Sequence, residues 1–354
     1  MTRPLLVLAL NPGSTSTRIA LFRDERLELE EELGHGADDR AAGRSDDELH
    51  HRLEAVHRFL HENRVLPASL DAVVGRGGLL RPLEGGVYRV SVALLRDASE
   101  GIQGRHSSNL GAILASEIAA EAGAPAFVVD PVSVDEFDDL ARLSGLAGIE
   151  RRSLSHALSV HAAARALADE LGRPWREVRA VVAHLGGGIS VCPVQAGRIV
   201  DANNAVSEGP FSPQRTGGLP IQELLDLVYS GPYDEDEIRR MTVGEGGLKS
   251  YLGTDDATEV ERRIESGDDH AETVFRGLAY QVAKEIGAMA TVLEGRLDAV
   301  VLTGGLARSR PLVDWITERV EFLAPVRVLP VQEMAALAHR ALAALRGDEP
   351  IRDY

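Results

Sequence analysis

Residues 5–22 read LLVLALNPGSTSTRIALF, and the organisation of the whole chain can be worked out from them. The apolar residues 5–10 predict a buried strand, Asn11-Pro12-Gly13 interrupts it, and an extended pattern resumes at Arg18. The pattern predicts a β-hairpin whose turn carries the hydroxyl groups of residues 14–17 beside a glycine. Because glycine lets backbone N–H groups approach a ligand closely, this turn suits phosphate oxygens, and it is equally typical of an ordinary polar hairpin.

The composition limits the classes of partner. A chain of 354 residues with 44% hydrophobic residues can build full cores and favours two domains. The 38 basic and 55 acidic residues give a net charge of −17, which disfavours nucleic acid and anionic membranes but leaves room for a small anion held by a few arginines. No stretch approaches about 18 consecutive apolar residues, so we expect no membrane span. The single cysteine, Cys192, excludes internal disulfides and suits a cytoplasmic location.

Glycine turns follow two further predicted strands. Val73-Val74 ends at Gly75-Arg76-Gly77-Gly78, which leaves the arginine side chain open to a ligand, and the strand Ala180 to His184 runs into three glycines at 186–188. Asp130 ends the predicted strand that begins at Phe127, a position at which α/β folds place groups that face ligands.

A short repeat relates the two halves of the chain. Leu-Asp-Ala-Val-Val occurs at 70–74 and again at 297–301, and each copy continues after two residues with Gly-Gly-Leu. Together with the two glycine hairpins, the repeat indicates a duplicated domain and predicts that glycine turns from two similar lobes converge on one ligand. We expect the lobes at 1–150 and 151–354, with an insertion at about 203–270 that is rich in turn formers and contains Arg215.

The motifs, taken in order, resemble the acetokinase family over essentially the whole chain, and within it the butyrate-type branch. The segments that carry the resemblance are LNPGSTSTRIALF, VVGRGGLL, HSSNLGA, FVVDPVS, RRSLSHALS, AHLGGGISV, QRTGG and VLTGGLARS. The resemblance implies an α/β fold of two duplicated actin-like, ribonuclease H-like lobes around a nucleotide cleft. The first lobe would serve the substrate and the second the nucleotide. Arg18 departs from the family, which commonly has lysine there.

The resemblance also implies roles for individual residues. The residues implied to be catalytic are Arg76, Asp130, His156 and Arg215. Those implied to bind the substrate are Arg76, His106 and Asn109. Those implied to bind the nucleotide or its phosphates are Asn11, Ser14, Ser16, His184, Gly186, Gly187, Gly188, Thr303, Gly304, Gly305 and Arg308. Those implied to act near the metal are Asn11, Asp130 and Glu333.

Several of these residues also have structural interpretations. Arg76 could be an arginine of a solvent-facing turn, and His106 could cap a helix. Asp130 could form a turn before Pro131, and Glu333 could compensate a helix dipole.

The implied reaction is reversible, ATP-dependent phosphorylation of a short-chain fatty acid, butyrate, to its acyl phosphate, with ATP or ADP and Mg²⁺ as cofactors. Within the family the alternatives are branched-chain acids or acetate and propionate. Outside it, a sugar or glycerol kinase would use Asp130 as a base, and an actin-like or chaperone ATPase would act on a protein partner. The expected partners are a small carboxylate and a nucleotide, and the resemblance implies a homodimer or higher homo-oligomer.

Overall fold

The computed structural model describes residues 3–13, 16–34, 45–104 and 106–354. The chain divides into two compact units: the first comprises residues up to Val134 together with Gln332–Tyr354, and the second comprises Asp135–Val331. This division differs from the expected lobes in two respects. It falls at residues 134 and 135 rather than 150 and 151, and the last helix belongs to the first unit because it packs against that unit's sheet.

The first unit is built on a mixed sheet of seven strands. The strands are β1 (Leu6–Pro12), β2 (Ser16–Arg23), β3 (Arg26–Gly34), β4 (Ala72–Arg76), β5 (Val87–Arg89), β6 (Ala126–Val129) and β12 (Ile351–Arg352), in the spatial order β12-β5-β6-β4-β1-β2-β3. β1 to β3 form an antiparallel meander, whereas β4 and β6 run parallel to β1. β1 is buried along its whole length, as expected for a strand covered on both faces.

The second unit repeats this arrangement. Its strands are β7 (Ala180–Leu185), β8 (Ile189–Gln195), β9 (Arg198–Ile199), β10 (Ala299–Thr303) and β11 (Val326–Val328), in the order β11-β10-β7-β8-β9. β7 to β9 are antiparallel, and β10 and β11 run parallel to β7. The order matches β6-β4-β1-β2-β3 strand for strand, so the predicted α/β, ribonuclease H-like fold is confirmed and present twice.

The aspartate of the sequence repeat has the same position in both units. Asp71 precedes β4 and accepts a hydrogen bond from the Leu6 N–H at 2.8 Å, while its own N–H donates to the Leu6 carbonyl. Asp298 precedes β10 and makes the same pair of bonds with the backbone of Arg179, also with a side-chain distance of 2.8 Å. Each aspartate fixes the register at which two parallel strands begin, which explains why the repeat includes it.

Helices cover the sheets. The first unit contains α1 (Ser45–Glu62), α2 (Val92–Glu100), α3 (Leu110–Ala122) and α11 (Glu333–Arg346), and the second contains α4 (Ala157–Leu171), α5 (Ile221–Tyr229), α6 (Glu235–Thr242), α7 (Gly247–Leu252), α8 (Ala257–Glu265), α9 (Asp269–Val292) and α10 (Arg310–Val320). In the first unit α1 and α3 bury Phe59 and Ile118 against β1, and in the second α9 buries Phe275 and Ile286 against β7 and β10. Four of these helices, α5 to α8, lie in the segment at about 203–270 that the sequence predicts to be an insertion, so this segment contains helices as well as turns. No helix in the described ranges combines the length and the apolar character that crossing a bilayer requires.

Candidate active site

In the first unit, Asn11, Arg76 and Glu333 form one polar cluster. Asn11 is the second-last residue of β1 and Arg76 ends the parallel neighbour β4, so both lie at the carboxyl edge of the sheet, and Glu333 begins α11. The Asn11 Nδ2 donates to Glu333 Oε2 at 2.9 Å, and Arg76 Nη1 lies 3.4 Å from the same oxygen. Both ion-pair partners are 19% exposed, so the guanidinium is shielded but can be reached by a small anion.

The glycines after Arg76 allow a very close approach of backbone. A Cβ on Gly77 would lie 2.4 Å from the Pro131 side chain, and one on Gly78 would lie 2.2 Å from Asn109 Oδ1. Asn109 accepts a hydrogen bond from Leu79 N–H at 2.8 Å and donates one to the Gly104 carbonyl at 3.1 Å. Asn109 thus supports the turn that carries Arg76, and its predicted contact with the substrate stays a prediction.

His106 caps the short turn that precedes α3. Its Nδ1 accepts from the Ser108 N–H at 3.2 Å and lies 2.7 Å from the Ser108 hydroxyl oxygen. The capping role considered from the sequence is therefore present, and the exposed ring has its Nδ1 committed to the cap. Its predicted contact with the substrate also stays a prediction.

Asp130 follows β6 with a φ of 37°, a left-handed conformation that is unusual for any residue other than glycine. Its carboxylate is buried. Oδ1 accepts from the Gly86 N–H at 2.7 Å, and Oδ2 is 2.7 Å from Arg340 Nη1. The predicted roles of Asp130 in metal binding or catalysis therefore compete with two partners that the first unit already provides.

An arginine of α1 contacts the residues on both sides of the first hairpin's turn. Arg52, 2% exposed in its side chain, donates to the Gly13 carbonyl at 2.8 Å, to the Thr17 hydroxyl at 2.6 Å and to Glu48 on its own helix. Ser16 donates instead to Glu32 at 2.7 Å, and Arg18 pairs with the same carboxylate on the exposed face of the sheet. Ser14 lies outside the described residues. Arg52 thus holds Gly13 and Thr17, which flank the segment in which phosphate contacts are expected.

In the second unit, two predicted site histidines stack on each other. His156 precedes α4 and His184 lies on β7, with ring centroids 4.2 Å apart and planes inclined by 17°. Ser190, paired with His184 across the hairpin, places its hydroxyl 2.9 Å from His156 Nδ1. His156 and His184 lie 28 positions apart in the sequence. The β7–β8 hairpin, which carries His184 and Ser190, contacts His156 through both side chains.

The second glycine turn packs directly against Arg215. A Cβ on Gly188 would lie 2.6 Å from Arg215 Nη1, so a larger residue there would displace the guanidinium, and Arg215 Nη1 donates to the Ala205 carbonyl at 2.8 Å. The Ser212 hydroxyl donates to the Gly187 carbonyl at 2.6 Å and accepts from the Arg215 N–H. The turn and the arginine are therefore held as one structural group.

Arg215 has a different charge environment from Arg76. Burial lowers the pKa of the Arg215 guanidinium, and no carboxylate among the described residues offsets that effect. Within the described ranges Arg215 forms no ion pair with an aspartate or a glutamate. A partly buried cation without an anionic partner is costly, so this position favours an anionic ligand.

The last predicted group lies at the end of β10, beside His184. Thr303 pairs with His184 in the parallel ladder, and its hydroxyl accepts from the Val331 N–H at 3.3 Å. Gly304 has a φ of 91°, and a Cβ there would lie 2.5 Å from the Leu185 carbonyl oxygen. Gly305 and Arg308 are exposed. A flat glycine surface with an exposed arginine suits a base or ribose, but neither this role nor the phosphate role of Gly186 is tested by the geometry.

The residues of the first unit that best fit Mg²⁺ are Asn11 and Glu333. Mg²⁺ keeps several waters and needs only one or two protein oxygens, and an amide oxygen beside a carboxylate supplies them. Among the described residues no three histidine, cysteine, aspartate or glutamate side chains are grouped to bind a metal by themselves. The fit is thus to an ion shared with phosphate oxygens rather than to an all-protein cage.

Sequence reasoning missed Arg52, Arg340 and Ser190. Arg52 contacts residues 35 to 39 positions away, and Arg340 contacts Asp130 across 210 positions. No local pattern marks such partners. The one available signal was the rarity of an arginine on the apolar stripe of α1.

Solved structures share this fold. An acetate kinase from Porphyromonas gingivalis matches with a TM-score of 0.78 at 18% identity, covering 96% of this chain and 100% of that one. A propionate kinase from Francisella tularensis subsp. tularensis SCHU S4 matches with a TM-score of 0.77 at 18% identity, covering 95% and 98%. A ROK hexokinase from Thermus thermophilus matches with a TM-score of 0.50 at 17% identity, covering 98% and 100%. At these identities the likeness concerns the fold.

The family is shown by a separate comparison. The acetokinase family model matches residues 145–326, slightly more than half of the chain, and this range includes His156, His184 and Arg215. The chain therefore belongs to the acetokinase family, which comprises phosphotransferases with a carboxylate acceptor.

Proposed function

We propose that this protein transfers the terminal phosphoryl group of ATP to a short-chain carboxylate, giving an acyl phosphate and ADP. The observation that carries the proposal is Arg215, a partly buried guanidinium against a glycine turn, without a carboxylate partner in the described part of its unit. His184 of the same hairpin stacks on His156, which precedes α4. A cation in this setting suits the phosphoryl oxygens, over which charge spreads in the transition state.

The chemistry requires no base. A carboxylate is already ionised near neutral pH, so one of its oxygens attacks the γ-phosphorus while the bond to the β–γ bridging oxygen breaks and ADP departs with that electron pair. The obstacle is repulsion between a negative nucleophile and a polyanion. Rate enhancement therefore depends on positioning and on positive charge, which planar arginine forks supply well.

The proposal gives each group its own role. Arg76 holds the substrate carboxylate, because among the described residues its Asn11 and Glu333 contacts use Nη1, and the other N–H donors of the guanidinium are left for a second anion. Arg215 and His156 hold the phosphoryl oxygens. Asn11 and Glu333 hold Mg²⁺, which when bound neutralises phosphate charge. The nucleotide contacts proposed for the glycines at 186–188 and for Thr303 to Arg308 are those implied by the family resemblance.

The length of the acyl chain is the finer part of the proposal. The hairpin PGSTST and the segment HSSNLGA favour butyrate. The family match favours the alternative of acetate or propionate, and the two structurally similar kinases are described by those substrates. We therefore propose a substrate with two to four carbons, and isobutyrate and isovalerate belong in the same test.

The test is a panel of straight and branched acids from C2 to C6, with ATP and Mg²⁺, in which hydroxylamine traps the acyl phosphate as a hydroxamate. We expect hydroxamate with at least one of these acids and a clear order among them. Phosphorylation of glycerol or hexoses without any hydroxamate would contradict the proposal. ATP hydrolysis that ignores every acid would instead favour the actin-like or chaperone ATPase.

We also propose that the chain forms a homo-oligomer through the insertion. α5 buries none of its residues, and its Ile221 and Tyr229 are 70% and 83% exposed. An amphipathic helix of nine residues needs packing for stability, so a second copy of this apolar face is a suitable cover. Sedimentation of the wild type and of Tyr229→Glu tests this, with a dimer expected for the first and a shift towards monomer for the second.

A further inference from the structure

Asp130 lies in a clasp made by two other segments of the first unit. Its N–H donates to the Gly86 carbonyl at 3.1 Å, while the Gly86 N–H donates to Asp130 Oδ1 at 2.7 Å. The second oxygen, Oδ2, accepts from Arg340 Nη1 at 2.7 Å, and the carboxylate side chain is only 1% exposed. A left-handed backbone at this residue persists only if such contacts overdetermine it.

Arg340 is itself fixed. Its Nε donates to Glu349 Oε2 at 2.5 Å and its Nη2 donates to the other oxygen of that carboxylate, so the fork is bidentate on one side and bound to Asp130 on the other. Burial alone would lower the pKa of Arg340, but the Asp130 and Glu349 carboxylates outweigh it and raise that pKa. Arg340 lies seven residues after Glu333, two turns along α11, so one face of this helix presents both side chains.

The backbone after Asp130 supports the turn that carries Arg76. The Val132 N–H donates to the Gly77 carbonyl at 3.4 Å, and the Pro131 side chain fills the space that a Cβ on Gly77 would need. Arg76 itself pairs with Val129, the residue before Asp130, in the parallel ladder of β4 and β6. A shift of Asp130 is therefore transmitted to the Arg76 turn through direct packing.

We propose that Arg340 is a positioning residue that acts through Asp130: it holds the end of β6 in its left-handed conformation and thereby sets the position of Arg76 for the substrate carboxylate. On this account Asp130 orients backbone and is not a metal ligand. The inference rests on the proposed function, because it requires that Arg76 binds the substrate carboxylate.

The experiment is a double-mutant cycle on the full chain with Arg340→Met, Asp130→Asn and the two combined. We expect each single variant to raise KM for the carboxylate by about tenfold or more, since misplacement by about 1 Å can cost up to about 10²-fold. KM for ATP and the Mg²⁺ concentration for half-maximal rate stay within about twofold. The double variant is no worse than the poorer single one, because both remove the same clasp.

Two further variants guard against simple loss of folding. Arg346→Met, on the same helix, removes an arginine that pairs with Asp24 and Glu25 at the surface, and we expect it to match the wild type. If Arg340→Met does not fold, Arg340→Gln takes its place in the cycle. Combined with Asp130→Asn, it replaces both buried charges by neutral amides.

The outcomes separate the two proposals. Three results would overturn the positioning role while acyl phosphate formation by the wild type stands. The first is a double variant whose rise in KM for the carboxylate is the product of the two single rises. The others are a rise in KM for ATP as large as that for the carboxylate, and a raised Mg²⁺ requirement in Asp130→Asn. If the wild type forms no acyl phosphate from any acid in the panel, the proposed function fails and this inference falls with it.

Discussion

The β1–β2 hairpin of the first unit and the β7–β8 hairpin of the second occupy the same place in the same strand order, yet they are stabilised differently. In the first, the side chain of Arg52 extends from α1 and binds the Gly13 carbonyl and the Thr17 hydroxyl, which flank the turn. In the second, Gly188 packs against Arg215, and Ser212 binds the turn through the Gly187 carbonyl. The two units therefore share their strand order but differ in the contacts that hold the hairpin.

The arginines of the two units also differ in whether a carboxylate lies beside them. Arg76 and Arg340 of the first unit lie beside carboxylates, whereas Arg215 of the second has none among the described residues. An arginine that already has a carboxylate beside it binds an incoming anion in exchange for that contact. An arginine without such a partner is stabilised most when negative charge develops next to it in the transition state. This difference suggests that Arg76 serves binding and Arg215 serves the transition state.

The largest effect should follow from removing Arg215. We expect Arg215→Ala to lower kcat by about 10³-fold or more, the scale seen when an arginine that stabilises phosphoryl transfer is lost. KM for the carboxylate should change little. Steady-state kinetics check this, with Arg239→Ala as a matched control because Arg239 forms an exposed ion pair on α6. A loss below tenfold would contradict the role.

Removing Arg76 should affect binding instead. We expect Arg76→Ala to raise KM for the carboxylate at least tenfold, because a charge-assisted hydrogen bond contributes about 1.5–3 kcal/mol and about 1.4 kcal/mol is a factor of ten. The control is Arg18→Ala, whose arginine pairs with Glu32 on the sheet surface. If KM for ATP rose as much as KM for the acid, the division of labour between the two arginines would be wrong.

Glu333 should report on the metal. Glu333→Gln keeps an oxygen that can accept from Asn11 but loses the negative charge, so we expect the Mg²⁺ concentration for half-maximal rate to rise about tenfold, the lower end of the loss typical for groups that support a metal site. Glu121→Gln, at an exposed pair with His57, is the control. An unchanged Mg²⁺ requirement would remove Glu333 from the metal site.

The smallest effect compares the repeated aspartates. Asp71→Ala and Asp298→Ala each leave a backbone N–H at a strand start without its acceptor, so we expect each to reduce the free energy of unfolding by about 1–3 kcal/mol. Asp71 should lie higher in that range because its side chain is 12% exposed against 25% for Asp298. Urea unfolding with the exposed Asp348→Ala as control measures this. Very unequal losses would show that the two copies no longer share a role.

The fold followed from the sequence where the signal was local or repeated. The apolar runs of β1, β4, β7 and β10 predict buried strands, and the repeated Leu-Asp-Ala-Val-Val correctly pairs the two units because an aspartate and a buried strand are needed at the same point in each. The helices of the insertion were not predicted. α5, for example, buries none of its residues, so its stability depends on a packing partner that the local sequence does not identify.

The site followed less completely. Glycine turns mark where backbone comes close, so the turn at 186–188 was identified, but its packing against Arg215 was not predicted. Partners of a buried charge cannot be read from neighbouring positions. Asp130 was therefore placed correctly at a strand end, but its ion pair with Arg340 depends on a helix more than 200 residues later.

We propose that a carboxylate oxygen attacks phosphorus in a site that supplies positive charge. An isotope experiment follows this oxygen: the enzyme receives ATP and an acid labelled with ¹⁸O in its carboxylate, the product is cleaved with hydroxylamine, and the released phosphate is analysed by ³¹P NMR or mass spectrometry. We expect phosphate that carries one ¹⁸O, because the former carboxylate oxygen bridges to phosphorus and leaves with it. Phosphate without label, formed at the same rate whether or not the acid is present, would contradict it.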